Sequence, residues 1–90
     1  MYNNAVSNLE IYPNPSHDKL NILLNVANTL CLDFEITDLS GRSLQAIKQS
    51  QFSSGEGHLS IDISELKDGV YIIRTGSENA YSSRLFTVIH

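Results

Sequence analysis

Tryptophan is absent from this chain, and cysteine, methionine and proline nearly are: one Cys, one Met and two Pro in 90 residues. A single cysteine, Cys31, excludes an internal disulfide, so the redox compartment stays open. Cys31 heads an alternating run and is expected to be a small core residue. No histidine is placed by any motif to make it a catalytic thiol. Two prolines and five glycines exclude a low-complexity chain. Basic residues are scarce, six Lys and Arg against ten Asp and Glu, for a net charge of −4. That balance argues against nucleic acid, which needs a basic face, and leaves no polybasic patch for anionic lipid. Apolar runs stop after a few residues, as in Ile22-Leu23-Leu24, far short of the ~20 that a membrane-spanning helix needs. Met1 to Asn8 is polar and lacks the apolar region of a signal peptide. The chain is therefore expected to be cytosolic or, the preferred reading, a piece of a larger protein whose Met1 is a cloning start.

What is present suits one small domain, with residues 1–8 as a flexible lead-in and 9–90 as the folded unit. A chain this short buries about 60–65% of its unfolded surface, so the core is modest. Apolar residues alternate with polar ones: Leu20, Ile22, Leu24 and Val26 on one face against Asn21 and Asn25, then Leu32, Phe34 and Ile36 against Asp33, Glu35 and Thr37. Period two is the signature of half-buried strands. Strands are expected over Leu9–Tyr12, Lys19–Val26, Cys31–Thr37, Arg42–Ser50, Gly57–Ile63, Val70–Thr75 and Tyr81–Ile89. Between them lie turn signals: Pro13-Asn14-Pro15, which removes backbone donors, Asp38-Leu39-Ser40-Gly41, the loop 51–57 and the hairpin turn 76–79. The strand over Arg42–Ser50 is rich in polar residues and is placed near a sheet edge. No window shows sustained helical periodicity; Ser64-Glu65-Leu66 is expected to make one helical turn at most, with Ser64 as its cap. Seven strands with turns at ~10-residue intervals predict an all-β sandwich.

Leu66-Lys67-Asp68-Gly69-Val70-Tyr71 is expected to be a tight corner, with Gly69 supplying positive φ. A tyrosine just past such a corner buries its ring and returns its hydroxyl to nearby backbone, the tyrosine corner of Greek-key sandwiches. The last strand is apolar on both faces, Leu85 and Ile89 on one and Phe86 and Val88 on the other. Such a strand is either central in its sheet or has one face awaiting a partner.

Signals for chemistry are weak. Ser16-His17-Asp18 has the residue types of a hydrolase triad, but adjacent residues on an extended chain point to opposite faces. His17, His58 and His90 show no mutual ligand spacing, and a metal site needs three or four converging donors. Asp33 and Glu35 share a strand face that reads as solvated. No glycine-rich phosphate loop exists, and nothing makes a positive case for an enzyme, a metal or a cofactor.

Four segments in order carry a family resemblance. Leu9-Glu10-Ile11-Tyr12-Pro13-Asn14-Pro15-Ser16 resembles the opening signature of the C-terminal sorting domains, type A, of the type IX (Por) secretion system. Asp38-Leu39-Ser40-Gly41-Arg42 is similar to the family's Asp-x-x-Gly-basic turn. Asp62 to Tyr71 is similar to its Leu-x-x-Gly-x-Tyr segment, and Arg84-Leu85-Phe86-Thr87-Val88-Ile89 to its closing basic-apolar strand. Order and spacing hold over residues 9–90. The resemblance implies an immunoglobulin-like seven-stranded antiparallel β-sandwich at the end of a protein exported by Gram-negative bacteria of the Bacteroidetes group. It implies an N-terminal cargo covalently linked to the domain, an outer-membrane translocon that reads it in the periplasm, and a sortase-like peptidase that removes it. The cargo then reaches the cell surface or the medium. The motif or recognition residues implied are Pro13, Asn14, Pro15, Asp38, Gly41, Leu66, Gly69, Tyr71, Arg84, Leu85, Phe86, Val88 and Ile89, with no catalytic residue. Family members often end on a basic residue where this chain has His90. The alternative is an accessory carbohydrate- or protein-binding β-sandwich module of a surface enzyme or adhesin. Such sugar sites lay exposed aromatics in a row, and here Trp is absent and Tyr2, Tyr12, Tyr71 and Tyr81 are scattered.

Overall fold

Alternation decides the architecture, because each apolar face needs a second apolar face to cover it. The computed structural model describes residues 6–77 and 80–90, and among these the chain is all β, with no helix. The strands are β1 (Val6–Tyr12), β2 (Lys19–Val26), β3 (Leu30–Thr37), β4 (Ser43–Phe52), β5 (Gly55–Asp62), β6 (Gly69–Ser77) and β7 (Ala80–Val88). They form a three-stranded sheet, β1-β2-β5, and a four-stranded sheet, β4-β3-β6-β7. Every strand pairing is antiparallel. The polar strand β4 lies at an edge of its sheet, as expected; β7 lies at the opposite edge.

The core is the space between the sheets. Leu20, Ile22, Leu24 and Val26 of β2 face inward from one sheet, and Leu32, Phe34 and Ile36 of β3 from the other; all are buried. Ile61, Ile63, Tyr71, Ile73, Phe86 and Val88 complete the layer, with Leu59 half-buried against it. Each fully buried Leu or Ile contributes about 1.5–3 kcal/mol, so this layer is the main source of stability.

The structure corrects several expectations. Cys31 is exposed: with Leu32, Phe34 and Ile36 inward, alternation sends it outward. β1 starts at Val6, within the stretch expected to be a lead-in; residues 1–5 lie outside the described residues. The stretch 51–57 is mostly strand, since β4 runs to Phe52 and β5 starts at Gly55. Phe52 is buried and stacks obliquely on Phe34, with ring centroids 5.8 Å apart. Gly76 pairs with Tyr81 inside the β6–β7 ladder, while Glu78 and Asn79 of the expected turn lie outside the described residues. Ser64-Glu65-Leu66 is a turn and not a helix, closed by Leu66 N–H donating to Ile63 O at 3.0 Å. Its cap is Asp62, whose Oδ1 accepts Ser64 N–H at 2.9 Å.

One glycine is required by packing. A β-carbon at Gly57 would lie 2.5 Å from Cδ2 of Phe52 and 3.2 Å from Cδ1 of Leu24, so a side chain there collides with the ring that closes this end of the core. Gly57→Ala is expected to destabilise the domain by ~1–3 kcal/mol, the usual cost of overpacking. Phe52→Leu in the same chain should recover part of the loss in a denaturant titration. A Gly57→Ala variant with an unmoved midpoint contradicts this account.

Candidate recognition site

The strand directions gather all four signature segments at one end of the sandwich. The turn 13–18 joins β1 to β2 there, the loop 38–42 joins β3 to β4, the corner 63–68 joins β5 to β6, and β7 finishes there at Val88. Hydrogen bonds tie them together: Ile63 N–H donates to Asp18 O (2.8 Å), and Gln45 Nε2 donates to Asp62 O (3.2 Å). The opposite end, with residues 27–29 and 53–54, carries none of the signatures.

The corner is built on Tyr71. Its ring is buried against Phe86 (centroids 5.8 Å apart), and its hydroxyl donates to Lys67 O at 2.6 Å. The chain passes here from the three-stranded to the four-stranded sheet, the place where a tyrosine corner is used. Gly69 is already the first residue of β6, paired with Val88, and its φ of 159° is close to extended. Residues 63–68 turn the chain, and Gly69 carries the positive φ expected of it. The left-handed position in this end is Gly41, with φ 93°, as the loop signal predicted.

Asp38 organises that loop. Its Oδ1 accepts the Ser40 hydroxyl (2.6 Å), Ser40 N–H (2.9 Å) and Arg42 N–H (3.0 Å), and Arg42 Nε lies 3.4 Å from Oδ2. The Ser40 hydroxyl first, then the Arg42 N–H, hold the Asp38 carboxyl below its ordinary value of 3.8. Asp62 is held low likewise, first by Ser64 N–H.

β7 is gripped from three sides. On its inner edge it pairs with β6 from Gly69↔Val88 to Ser77↔Ala80. On its outer edge Thr87 N–H donates to Asn14 Oδ1 (3.0 Å), Ser16 N–H to Thr87 O (2.8 Å) and Ile89 N–H to Ser16 O (2.9 Å). Beyond the strand, His90 N–H donates to Asp68 Oδ1 (3.0 Å), and His90 Nε2 sits 2.6 Å from Leu66 O. Ser16, His90, Asp68 and Asp62 carry no site signal in the sequence. Their partners lie far along the chain or in a turn whose geometry the sequence does not print. Ser16 is buried, and its hydroxyl donates to Pro13 O, away from the exposed His17 and Asp18.

The sequence-derived site residues separate by burial, with Asp38 and Gly69 half-buried. Leu66, Tyr71, Phe86 and Val88 are buried, so they shape the end from inside. Pro13, Asn14, Pro15, Gly41, Arg84, Leu85 and Ile89 are exposed. Tyr12, Leu39, Val70, Leu85 and Ile89, five of the exposed large hydrophobic residues among those described, sit at this end; Tyr81 sits at the other. Val70 and Leu85 lie on the outer face of the four-stranded sheet with half-buried Ile72, which pairs with Leu85. Among the described residues no group of three or more His, Cys, Asp or Glu side chains is placed to hold a metal ion.

The two-layer scaffold, with its hydrogen-bonded turns, carries most of the described exposed large apolar side chains at the signature-bearing end. The profile of the family described as "Secretion system C-terminal sorting domain" matches residues 10–89, and the chain belongs to that family, the sorting domains of type IX secretion. No curated protein matches the chain.

Two measurements check the geometry of this end. Tyr71→Phe deletes the bond to Lys67 O and is expected to cost ~1 kcal/mol, while Tyr71→Ala opens a cavity and should cost ~3–5 kcal/mol; a Tyr71→Phe midpoint equal to that of the parent contradicts the corner. For Asp38, a lowered folded-state value means its contribution is complete above the unfolded value of 3.8 and is lost as pH falls through the folded value. Asp38→Asn should therefore melt below the parent at neutral pH, with the gap closing as pH drops below 3.8. A gap independent of pH contradicts it.

Proposed function

We propose that this domain is the address of an exported protein, carried behind a covalently linked cargo and read by the outer-membrane translocon of the type IX system before a sortase-like peptidase removes it. The family assignment carries this reading, and it places the cargo's destination at the cell surface or outside the cell. The domain passes through the periplasm folded and performs no catalysis of its own. Its sandwich is of the immunoglobulin-like kind: the non-consecutive pairings β2–β5 and β3–β6, followed by β6–β7, match the B–E, C–F and F–G neighbours of that fold.

The part that is read is the signature-bearing end, through the exposed face of β7. Leu85 and Ile89 are solvent-facing there, 60% and 53% exposed, while Phe86 and Val88 on the opposite face are spent on the core. Turns 13–16, 38–42 and 63–68 act by holding that end in shape. Among the described residues the tyrosines form no stacking row for the carbohydrate-binding alternative, since Tyr12 and Tyr81 lie at opposite ends and Tyr71 is buried; Tyr2 lies outside the described residues.

A fluorescent passenger bearing a signal peptide, with residues 1–90 fused to its C-terminus so that β1 is kept whole, is expected to leave a host that has the type IX machinery. Leu85→Asp with Ile89→Asp, both exposed and therefore compatible with folding, should hold the passenger in the periplasm; Tyr81→Ser should not. If the intact fusion stays in the periplasm while another sorting domain exports the same passenger, the sorting reading fails. If the doubly substituted domain still exports, the reading of β7 fails.

A further inference from the structure

An edge strand presents a row of unpaired N–H and C=O groups that templates another strand. In β7 the odd-numbered residues turn these groups away from β6: Thr87 and Ile89 donate outward, and alternation sends those of Ser83 and Leu85 the same way. The row is covered unevenly. Arg84 Nη1 donates to Ser83 O at 2.9 Å. Asn14 covers Thr87 N–H, and Ser16, in a single parallel bridge to Val88, covers Thr87 O and Ile89 N–H. Leu85 lies between these covers, with no partner for either outward backbone group among the described residues, and its side chain is exposed as well.

We propose that the segment Asn14–Ser16 is a cap on the outer edge of β7 that prevents this strand from pairing with a second copy of the chain. The self-complementarity of β7 identifies the competitor. An antiparallel β7–β7′ pair about a two-fold axis at Leu85 sets Leu85 against its copy, Thr87 against Ser83′ and Ile89 against Tyr81′, and these are the residues with outward-facing backbone groups. The strip Leu85, Ile72 and Val70 then continues across the axis. With the cap seated, Thr87 and Ile89 are occupied, and only the Leu85 pair of bonds remains, too short a ladder to hold two chains. With the cap absent, the whole edge is a template. This does not depend on the sorting reading.

Amide hydrogen exchange in the unmodified chain tests the cap directly. Phe86 and Val88, bonded to β6, should be slow; Ser83 and Leu85 should be fast; and Thr87 and Ile89, though on the outer edge, should exchange at least ~10-fold more slowly than Leu85. Thr87 and Ile89 exchanging as fast as Leu85 overturns the cap. The second arm combines Asn14→Ala with Ser16→Pro, which removes two of the three covering bonds, and follows mass by sedimentation. The variant should associate with rising concentration, and a further Leu85→Lys should return it to the monomer. A monomer at every concentration, with Phe86 and Val88 still protected, overturns the role against pairing; should the variant lose that protection, the exchange pattern of the unmodified chain decides.

Discussion

The pairing of β7 with β6 is the contact on which the rest of this domain depends. It sets Phe86 against the Tyr71 ring, and Tyr71 in turn fixes the corner through Lys67 O. It brings His90 to Asp68 and Leu66 O, which tethers the same corner from outside. It also supplies the edge on which Asn14 and Ser16 dock. Removing β7 would uncover one side of the core and free two turns at once. The cost would exceed that of a single strand, because residues sharing partners do not contribute independently.

Strand periodicity was legible from composition and spacing alone. β2 falls where Lys19–Val26 was expected, and Leu20, Ile22, Leu24, Phe34 and Ile36 are buried as their alternation requires. The Asp38–Gly41 loop and the Tyr71 corner were legible too, since both depend on residues a few positions apart. What escaped was long-range. Nothing near Asn14 announces a partner at Thr87, and nothing near His90 announces Leu66. Phe52 sits in a stretch rich in Ser and Gly that has the composition of a loop; its place in the core depends on the space left by Gly57. Cys31 was misassigned because its apolar character outweighed its phase in the strand.

The segment 85–89 divides its apolar side chains between the core and the surface. Even-numbered Phe86 and Val88 are committed to the core, and odd-numbered Leu85 and Ile89 remain available outside. A strand apolar on both faces at a sheet edge is an aggregation hazard, and here the hazard is met by a backbone clamp from residues 14–16 and by the Arg84 guanidinium over Ser83 O. The apolar groups left open sit at the end where the signature turns converge. The net charge of −4 adds general repulsion between copies without blocking that end.

Site-specific photo-crosslinking during export tests the central claim most directly. A photoreactive residue at Leu85 and another at Tyr81 compare two exposed positions on the same strand, at opposite ends of the sandwich. If the signature-bearing end is what the secretion machinery reads, Leu85 crosslinks to a component of the outer-membrane machinery and Tyr81 does not. Equal crosslinking from both positions, or crosslinking from Tyr81 alone, contradicts it.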